Sequence, residues 1–169
     1  MVSEISGLKA SDRYFTPSPV LDKVAQQWVS INVDPCWDPE CAVVADLVYD
    51  ARAGQDGLVL PWRGRIFCNP PWSDPAPWAL RAVQHTAASP DHEVILLVAA
   101  QPGSQWWGRY VWEYGLVCFP DKRLRYGKPG GATPTPCPTD SAVVYYGPHK
   151  QRFLEVWSDL GKVVTLKAA

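Results

Sequence analysis

The tetrapeptide Asn69-Pro70-Pro71-Trp72 carries the clearest chemical signal in the sequence. Two successive prolines fix φ at both positions and restrict the residue before them, so the Asn69 side chain and the Pro70 carbonyl are held in one extended geometry. The segment therefore offers two hydrogen-bond acceptors beside the aromatic face of Trp72. This set fits a planar ring that carries an exocyclic amino group, because the acceptors can take its two hydrogens while the indole stacks on the ring.

Acceptors in this arrangement would also activate such an amine. The lone pair of an aromatic amine is shared with its ring, and acceptors placed for a developing tetrahedral nitrogen favour the transition state over the flat ground state. The structural alternative is a rigid turn that ends a strand and begins a helix, with Trp72 in the core. The tetrapeptide alone leaves both interpretations open.

The residues on either side of this tetrapeptide predict a strand, a rigid loop and a crossover helix. Residues 65–68 form a short apolar strand, and Asp74-Pro75 is typical of a helix start, so a helix is predicted over residues 76–88. Upstream, residues 31–34 predict a strand that Pro35 closes.

The rest of the chain continues to alternate between apolar runs and amphipathic segments. Further helices are predicted over residues 16–30, from Asp38-Pro39 through Cys41 to Leu47, and over residues 104–115 and 150–160. Further strands are predicted over residues 93–99, 116–119 and 163–165, and residues 124–126 are predicted to pair with residues 142–146.

This alternation predicts an α/β fold with a mostly parallel sheet and helices on both faces, because crossover helices must cover both sides of such a sheet. Ligands of these sheets bind beyond the carboxyl ends of the strands. Asp34 and Asn69 are both expected at such ends.

Length and composition indicate one globular domain over residues 1–169, of which residues 1–11 are expected to be flexible or loosely packed. The chain has 47% hydrophobic and 20% charged residues, which is ordinary globular usage. No apolar run approaches the roughly 20 residues of a membrane span, and the opening residues lack a secretory signal, so we expect a cytoplasmic protein without a membrane partner. The five scattered cysteines predict reduced thiols rather than a disulfide framework or a metal site, and the three histidines (His85, His92, His149) are expected at the surface.

The net charge of −1 hides an asymmetry between the two parts of the chain. Residues 1–60 hold 4 Lys/Arg and 9 Asp/Glu, whereas residues 61–169 hold 12 and 8. Contacts with nucleic acid are therefore expected in the second part, where the densest cationic cluster adjoins a proline-rich loop and suits phosphate contacts: Lys122, Arg123, Arg125 and Lys128. The alternative is a stiff, solvated surface loop.

Four short elements follow one another in an order that is more specific than any one of them. They are Asp12-Arg13-Tyr14-Phe15-Thr16-Pro17, then Val33-Asp34-Pro35-Cys36, then Asp56-Gly57-Leu58 followed by Trp62, and finally Asn69-Pro70-Pro71-Trp72. From about Asp12 to Tyr146 the chain resembles the phage-type, Dam-like DNA N6-adenine methyltransferases. Those enzymes use S-adenosylmethionine (SAM) and share a Rossmann-like sheet.

The resemblance implies roles for several of the matched residues. Thr16 and Pro17 would lie against the methionine part of SAM, with Phe15, Asp34 and Asn69 also beside the cofactor. Asp34 could bind the ammonium group or a ribose hydroxyl of SAM, or be a buried strand-end residue; Asp56 could accept from the adenine amine of SAM, or form a turn. Residues 69–72 would hold the target base, and Trp62 is expected to be a core residue or loop anchor.

One departure from methyltransferases of this fold is the turn after the first strand. It reads Pro35-Cys36-Trp37-Asp38-Pro39-Glu40 and lacks the glycines that let a backbone approach a cofactor. The sequence therefore leaves open how SAM is cradled.

The expected activity is methyl transfer from SAM to the N6 amine of adenine in DNA, in a bacterial or phage-infected cell. The alternatives are another amino target (cytosine N4, RNA or a protein glutamine) and a non-catalytic nucleic-acid-binding module that kept the fold. The chemistry needs neither a metal nor a general base, and the sequence specifies neither the recognition sequence nor the oligomeric state.

Overall fold

The computed structural model describes residues 13–165, so the expectation for residues 1–11 and the match at Asp12 lie outside the described residues. The helices are α1 (Ser18–Gln27), α2 (Ala76–Ala88), α3 (Gln105–Trp107), which continues as a π-helical turn (Gly108–Trp112), and α4 (Lys150–Trp157). The strands are β1 (Ile31–Asp34), β2 (Ala45–Val48), β3 (Arg65–Cys68), β4 (Glu93–Ala99), β5 (Leu116–Pro120), β6 (Arg125–Tyr126), β7 (Thr135–Pro136), β8 (Ser141–Tyr146) and β9 (Gly161–Val164). Short 3-10 turns cover Ala51–Ala53 and Pro129–Gly131.

The main sheet of the described chain has seven strands in the order β2-β1-β3-β4-β8-β5-β9. The pairs β1/β2, β1/β3 and β3/β4 are parallel, whereas β8 is antiparallel to both β4 and β5, and β9 is antiparallel to β5. Five strands consequently run in one direction, and β8 and β9 run in the other. The α/β prediction is confirmed, and the sheet is mixed, with one parallel half.

Helices cover both faces of this sheet, because its strands alternate their side chains between two apolar clusters. On one face α1 and α4 contribute Val24 and Phe153 to a cluster that includes Ile95 of β4. On the other face α2 and the π-helical turn contribute Ala82 and Val111 to the cluster that contains neighbouring β4 residues. Because the side chains on both faces of the sheet are buried, the sequences of β4 and β8 are nearly continuous apolar runs.

The predicted short helix from Cys41 to Leu47 is wrong, because Ala45–Val48 forms strand β2. The cap signal at Asp38 produces only one turn: its carboxylate accepts from the Glu40 N–H, and its carbonyl accepts from the Cys41 N–H. The chain then pairs in parallel with β1, and the Asp46 carboxylate accepts a hydrogen bond from the Asn32 side chain at 2.9 Å. Tertiary pairing overrides the local helix signal here.

The predicted pairing of residues 124–126 with residues 142–146 is also wrong. Arg125–Tyr126 pairs instead with Thr135–Pro136 in a separate two-stranded ribbon. Strand β8 is wholly buried, and it lies in the middle of the main sheet. Successive β8 side chains enter the apolar clusters on the two faces of the main sheet in turn, which explains why the strand lies inside this sheet.

The expectation that all histidines lie at the surface fails for His85. This side chain is buried on α2, bonds the Gly64 carbonyl oxygen through Nε2 at 2.9 Å, and stacks on His92 with ring centroids 4.0 Å apart. Trp62 is buried beside it in an edge-to-face contact, as expected of a core residue. Within residues 13–165, no helix is long and apolar enough to cross a membrane.

Candidate active site

A pocket of about 380 Å³ lies at the carboxyl ends of β1, β2 and β3. Because these strands are parallel, the segments that follow them meet at one edge of the sheet, where α/β folds place their ligands. Five of the predicted cofactor residues line this pocket: Phe15, Thr16, Asp34, Asp56 and Asn69. The structure therefore gathers side chains from four separate parts of the sequence.

Asp34 ends β1 with its carboxylate buried in the pocket wall, at 3% exposure. Its Oδ1 accepts a hydrogen bond from the Cys36 N–H at 2.9 Å. Burial raises the pKa of Asp34 to about 7, and this hydrogen bond offsets only part of the rise. A buried carboxylate beside a pocket is a site for a cation or a hydroxyl donor.

The loop that carries Asp56 is fixed by three contacts. The Asp56 carboxylate accepts from the Leu58 N–H at 2.9 Å, which makes it a turn former. The Trp62 indole donates to the Gly57 carbonyl at 2.8 Å, so Trp62 anchors the loop. Gly57 packs so closely on Pro35 that an added Cβ would overlap the Pro35 carbonyl oxygen. In methyltransferases with a Rossmann-like sheet, a glycine after the first strand often allows a close backbone approach. Here Gly57 provides it, from the loop that faces the end of β1.

Asn69 follows β3 and fixes the segment on the opposite wall. Its Nδ2 donates to the Tyr14 carbonyl at 2.6 Å and to Thr16 Oγ1 at 3.3 Å. Because a carbonyl must face the amide nitrogen, these bonds assign the orientation of the side chain, and Oδ1 is the atom that can accept from a ligand.

The other members of the tetrapeptide have different surroundings. Pro71 lines the pocket, whereas Pro70 is buried. Trp72 packs beside the pocket on the apolar cluster of α1 and α4, and its indole N–H donates to the Leu97 carbonyl at 3.2 Å. Its ring lies against Tyr14, with centroids 5.6 Å apart and planes at 17°. The sequence analysis includes Tyr14 in a matched segment but gives it no role, because its contact with Trp72 spans 58 positions.

The rim of the pocket is an ionic network that sequence reasoning also missed. Arg13 pairs with Asp38 and Glu40, each at 2.8 Å, and Arg52 pairs with Asp50 at 3.2 Å. Glu40 also accepts from the Gly130 N–H at 2.7 Å. That backbone bond and the Arg13 side chain lower the pKa of Glu40. The network links the segment before α1 to the turn before β2 and to the proline-rich loop.

Two cysteines meet in the floor of the pocket. Cys36 Sγ and Cys68 Sγ are 3.5 Å apart, and burial raises the pKa of both thiols. All five cysteines are free thiols, as the sequence predicted.

A second cavity of about 930 Å³ adjoins the first and shares Phe15 and Thr16 with it. Pro17 lines this second cavity rather than the first. The whole predicted cationic cluster also lines it: Lys122, Arg123, Arg125 and Lys128.

The four cations differ in their contacts. Arg123 pairs with Asp140 at 3.1 Å, Arg125 donates to the Pro134 carbonyl at 3.3 Å, and Lys128 Nζ lies 3.7 Å from the centroid of the Tyr14 ring. Lys122 is exposed at the rim of the cavity.

The mixed α/β sheet, with a ligand-sized pocket at the carboxyl ends of its parallel strands that Asn69 and Pro71 line, is consistent with a methyltransferase-like fold. A family model described as DNA N-6-adenine-methyltransferase (Dam) matches residues 6–134. The match covers most of the chain, and the chain belongs to this family and is a DNA adenine methyltransferase. A comparison with curated proteins finds no match.

Proposed function

We propose that this DNA adenine methyltransferase binds SAM in the pocket at the carboxyl ends of β1, β2 and β3, and that its sheet is Rossmann-like. The observation that carries the proposal is the meeting of Thr16, Asp34, Asp56 and Asn69 around one pocket of about 380 Å³. That volume lies within the range of about 300–1,000 Å³ typical of small-molecule sites. Five codirectional strands with helices on both faces support the Rossmann-like assignment.

The donor set of the pocket fits SAM. Among the described residues, the Asp34 carboxylate receives one hydrogen bond, from the Cys36 N–H, and this carboxylate is costly to bury without a further partner. An ammonium group or a ribose hydroxyl of SAM would supply that partner. When bound, SAM supplies an electrophilic methyl group.

The loop of Asp56 completes the donor site. One carboxylate oxygen of Asp56 is occupied by the Leu58 N–H, which leaves the other to accept from the adenine amine of SAM. Gly57 brings this loop against Pro35, so the loop and the end of β1 form a continuous wall. This contact takes the place of a glycine-rich turn after β1.

The target amine is held at the carboxyl end of β3. The Asn69 Oδ1 and the Pro70 carbonyl accept the two N6 hydrogens of an adenine that has left the duplex stack, at a cost of a few kcal/mol. Trp72 provides the stacking face for the base. The two acceptors favour the tetrahedral geometry that the nitrogen adopts as it takes up the methyl group, and the resulting ammonium is acidic enough to release its extra proton to water without a general base.

The second cavity holds the DNA backbone. The phosphates contact Lys122, Arg123, Arg125 and Lys128, which position the strand without specifying its sequence. Because this cavity shares Phe15 and Thr16 with the donor pocket, a bound strand passes directly beside the site of methyl transfer.

The direct test is methyl transfer from isotopically labelled SAM to DNA from a host that lacks adenine methylation, followed by nucleoside analysis. We expect label in N6-methyl-2′-deoxyadenosine, and label in N4-methyl-2′-deoxycytidine alone would refute the adenine assignment. Calorimetric titration of SAM tests the donor pocket separately, with Asp34→Asn as the variant. An exposed aspartate, Asp91→Asn, is the matched control and should leave SAM affinity unchanged.

A further inference from the structure

Three side chains from distant parts of the sequence form a layered stack beside the pocket. The Lys128 ammonium lies 3.7 Å from the centroid of the Tyr14 ring, and the Tyr14 ring lies nearly parallel to Trp72, with centroids 5.6 Å apart and planes at 17°. Tyr14 therefore covers one face of the indole to which the proposed function assigns base stacking.

Trp72 is the fixed member of this stack. Its indole N–H donates to the Leu97 carbonyl at 3.2 Å, and Tyr126 meets it edge to face at 5.1 Å. Tyr126 is itself fully buried and donates to Ser141 Oγ at 2.9 Å. The indole cannot turn away without loss of these contacts.

The side chain of Tyr14 is the member that can leave, at the loss of its ring contacts, which include an edge-to-face contact with Tyr126 at 5.7 Å. It is half-buried, and within residues 13–165 its hydroxyl has no hydrogen-bond partner. The backbone beside it is held independently of the ring, because the Tyr14 carbonyl accepts from Asn69 and the Phe15 backbone pairs with Gly127. A rotation about the Tyr14 side-chain bonds would uncover Trp72 and leave those bonds in place.

A base cannot insert between the two rings as they stand. Two stacked contacts of about 3.5 Å each would separate the outer rings by roughly 7 Å, which exceeds the 5.6 Å between the Tyr14 and Trp72 centroids. We propose that Tyr14 is a positioning residue that occupies the base-stacking face of Trp72 before DNA binds and is displaced by the target adenine. This inference rests on the proposed role of Trp72 as the base platform.

Lys128 couples the displacement to DNA binding. Its ammonium lies over the Tyr14 ring while Lys128 also lines the second cavity, so the ring and a phosphate bound in that cavity compete for one cation. A strand that draws Lys128 to its backbone removes the cation–π contact from Tyr14 and loosens the cover on Trp72. The stacking face of Trp72 is therefore exposed when a DNA strand is bound.

The Tyr14 ring over Trp72 reduces the apparent DNA affinity, because only enzyme molecules in which Tyr14 has moved away can stack the target base on Trp72. Loss of the aromatic pair and of the cation–π contact in Tyr14→Ala should therefore tighten the apparent Kd for productive DNA binding by about tenfold. Tyr14→Phe keeps the ring and should bind DNA as the wild type does. Tyr114→Ala, at an exposed tyrosine outside both cavities, is the matched control.

The experiment measures the single-turnover rate of methyl transfer against the concentration of unmethylated plasmid DNA. SAM is kept saturating at a level set by separate calorimetric titration of each variant. If Tyr14→Ala does not fold, Tyr14→Leu replaces it, because leucine fills part of the volume without an aromatic face. The same substitution is also made in a Trp72→Ala background, where it should tighten the apparent Kd by less than it does in the wild type, because only the release of Lys128 remains.

The outcomes separate this inference from the proposed function. Absence of methyl transfer by the wild-type protein overturns the proposed function. If the apparent Kd of Trp72→Ala equals that of the wild type, Trp72 does not stack the target base, and this inference is overturned with that role. If Trp72→Ala binds DNA more weakly than the wild type, while Tyr14→Ala binds DNA no more tightly than the wild type, then the displacement of Tyr14 is overturned and the proposed function stands.

Discussion

Replacement of Asp34 by asparagine should stabilise the fold at neutral pH while it weakens SAM binding. Burial raises the pKa of Asp34 from its ordinary value of 3.8 to about 7, so folding takes up a proton between these pH values. The stability of the wild type therefore falls as pH rises from about 4 to 7 and levels off above 7, because only the unfolded chain releases this proton in that interval. Asparagine does not titrate, and its Oδ1 still accepts from the Cys36 N–H.

The size of the change in folding stability follows from the width of the pH interval between the two pKa values. It spans about three pH units, and each corresponds to about 1.36 kcal/mol, which gives an upper bound of about 4 kcal/mol. Solvent screening reduces this bound little, because Asp34 is only 3% exposed. We expect the stability of Asp34→Asn relative to the wild type to increase by a few kcal/mol between pH 4 and pH 8.

Urea denaturation of both proteins at pH 4, 6 and 8 measures this difference. The other carboxylates are common to both proteins, so their contributions to the pH dependence cancel. A stability difference that does not change with pH would refute the argument, since it would mean that Asp34 titrates alike in the folded and unfolded chains.

The same variant tests function. A hydrogen bond to a charged group contributes about 1.5–3 kcal/mol, so SAM affinity at pH 8 should fall about 10- to 100-fold. Wild-type affinity should also fall as the pH drops below 7, because a protonated carboxyl cannot pair with an ammonium group. Unchanged SAM affinity in Asp34→Asn would leave Asp34 with a structural role only.

Three further variants test the other walls of the site. Asn69→Ala should slow single-turnover methyl transfer at saturating SAM by about 10²–10³, because Oδ1 serves the target amine; a wild-type rate would contradict this role. Gly57→Ala should lower the free energy of unfolding by about 1–3 kcal/mol and weaken SAM binding in calorimetry, whereas Gly103→Ala, where nothing lies within 4 Å, should do neither. Replacement of the four cations of the second cavity by alanine should flatten the slope of log K against log salt by up to about 3.6 for duplex DNA, with little change in sequence preference; equal slopes in salt titrations would mean that DNA is held elsewhere.

The elements around the tetrapeptide could be predicted from sequence because their signals are local. Residues 65–68 and 76–88 form a strand and a helix with the predicted bounds, since prolines follow the strand and begin the helix. The apolar run at residues 93–99 was predicted equally well, because burial on both faces leaves a continuous signature.

Strand β2 and the covering of Trp72 could not be predicted in this way. Residues 45–48 are a strand only because they pair with β1, and the partner of Asp46 is Asn32, 14 positions earlier. Tyr14, Trp72 and Lys128 meet only once the sheet has folded. The sequence identified the residue types of the site, and their mutual contacts depend on the sheet order.

The place of β8 in the sheet has a consequence for synthesis of the chain. Strand β8 separates β4 from β5, although both are translated before it, and all six of its residues are buried. At about 5–20 residues per second, the 26 residues from 121 to 146 take on the order of seconds to emerge after β5 is complete. During that time the facing edges of β4 and β5 lack their shared neighbour and are open to pairing with other chains. Variants that slow closure of the loop before β8 should therefore lower the yield of soluble enzyme before they alter its chemistry.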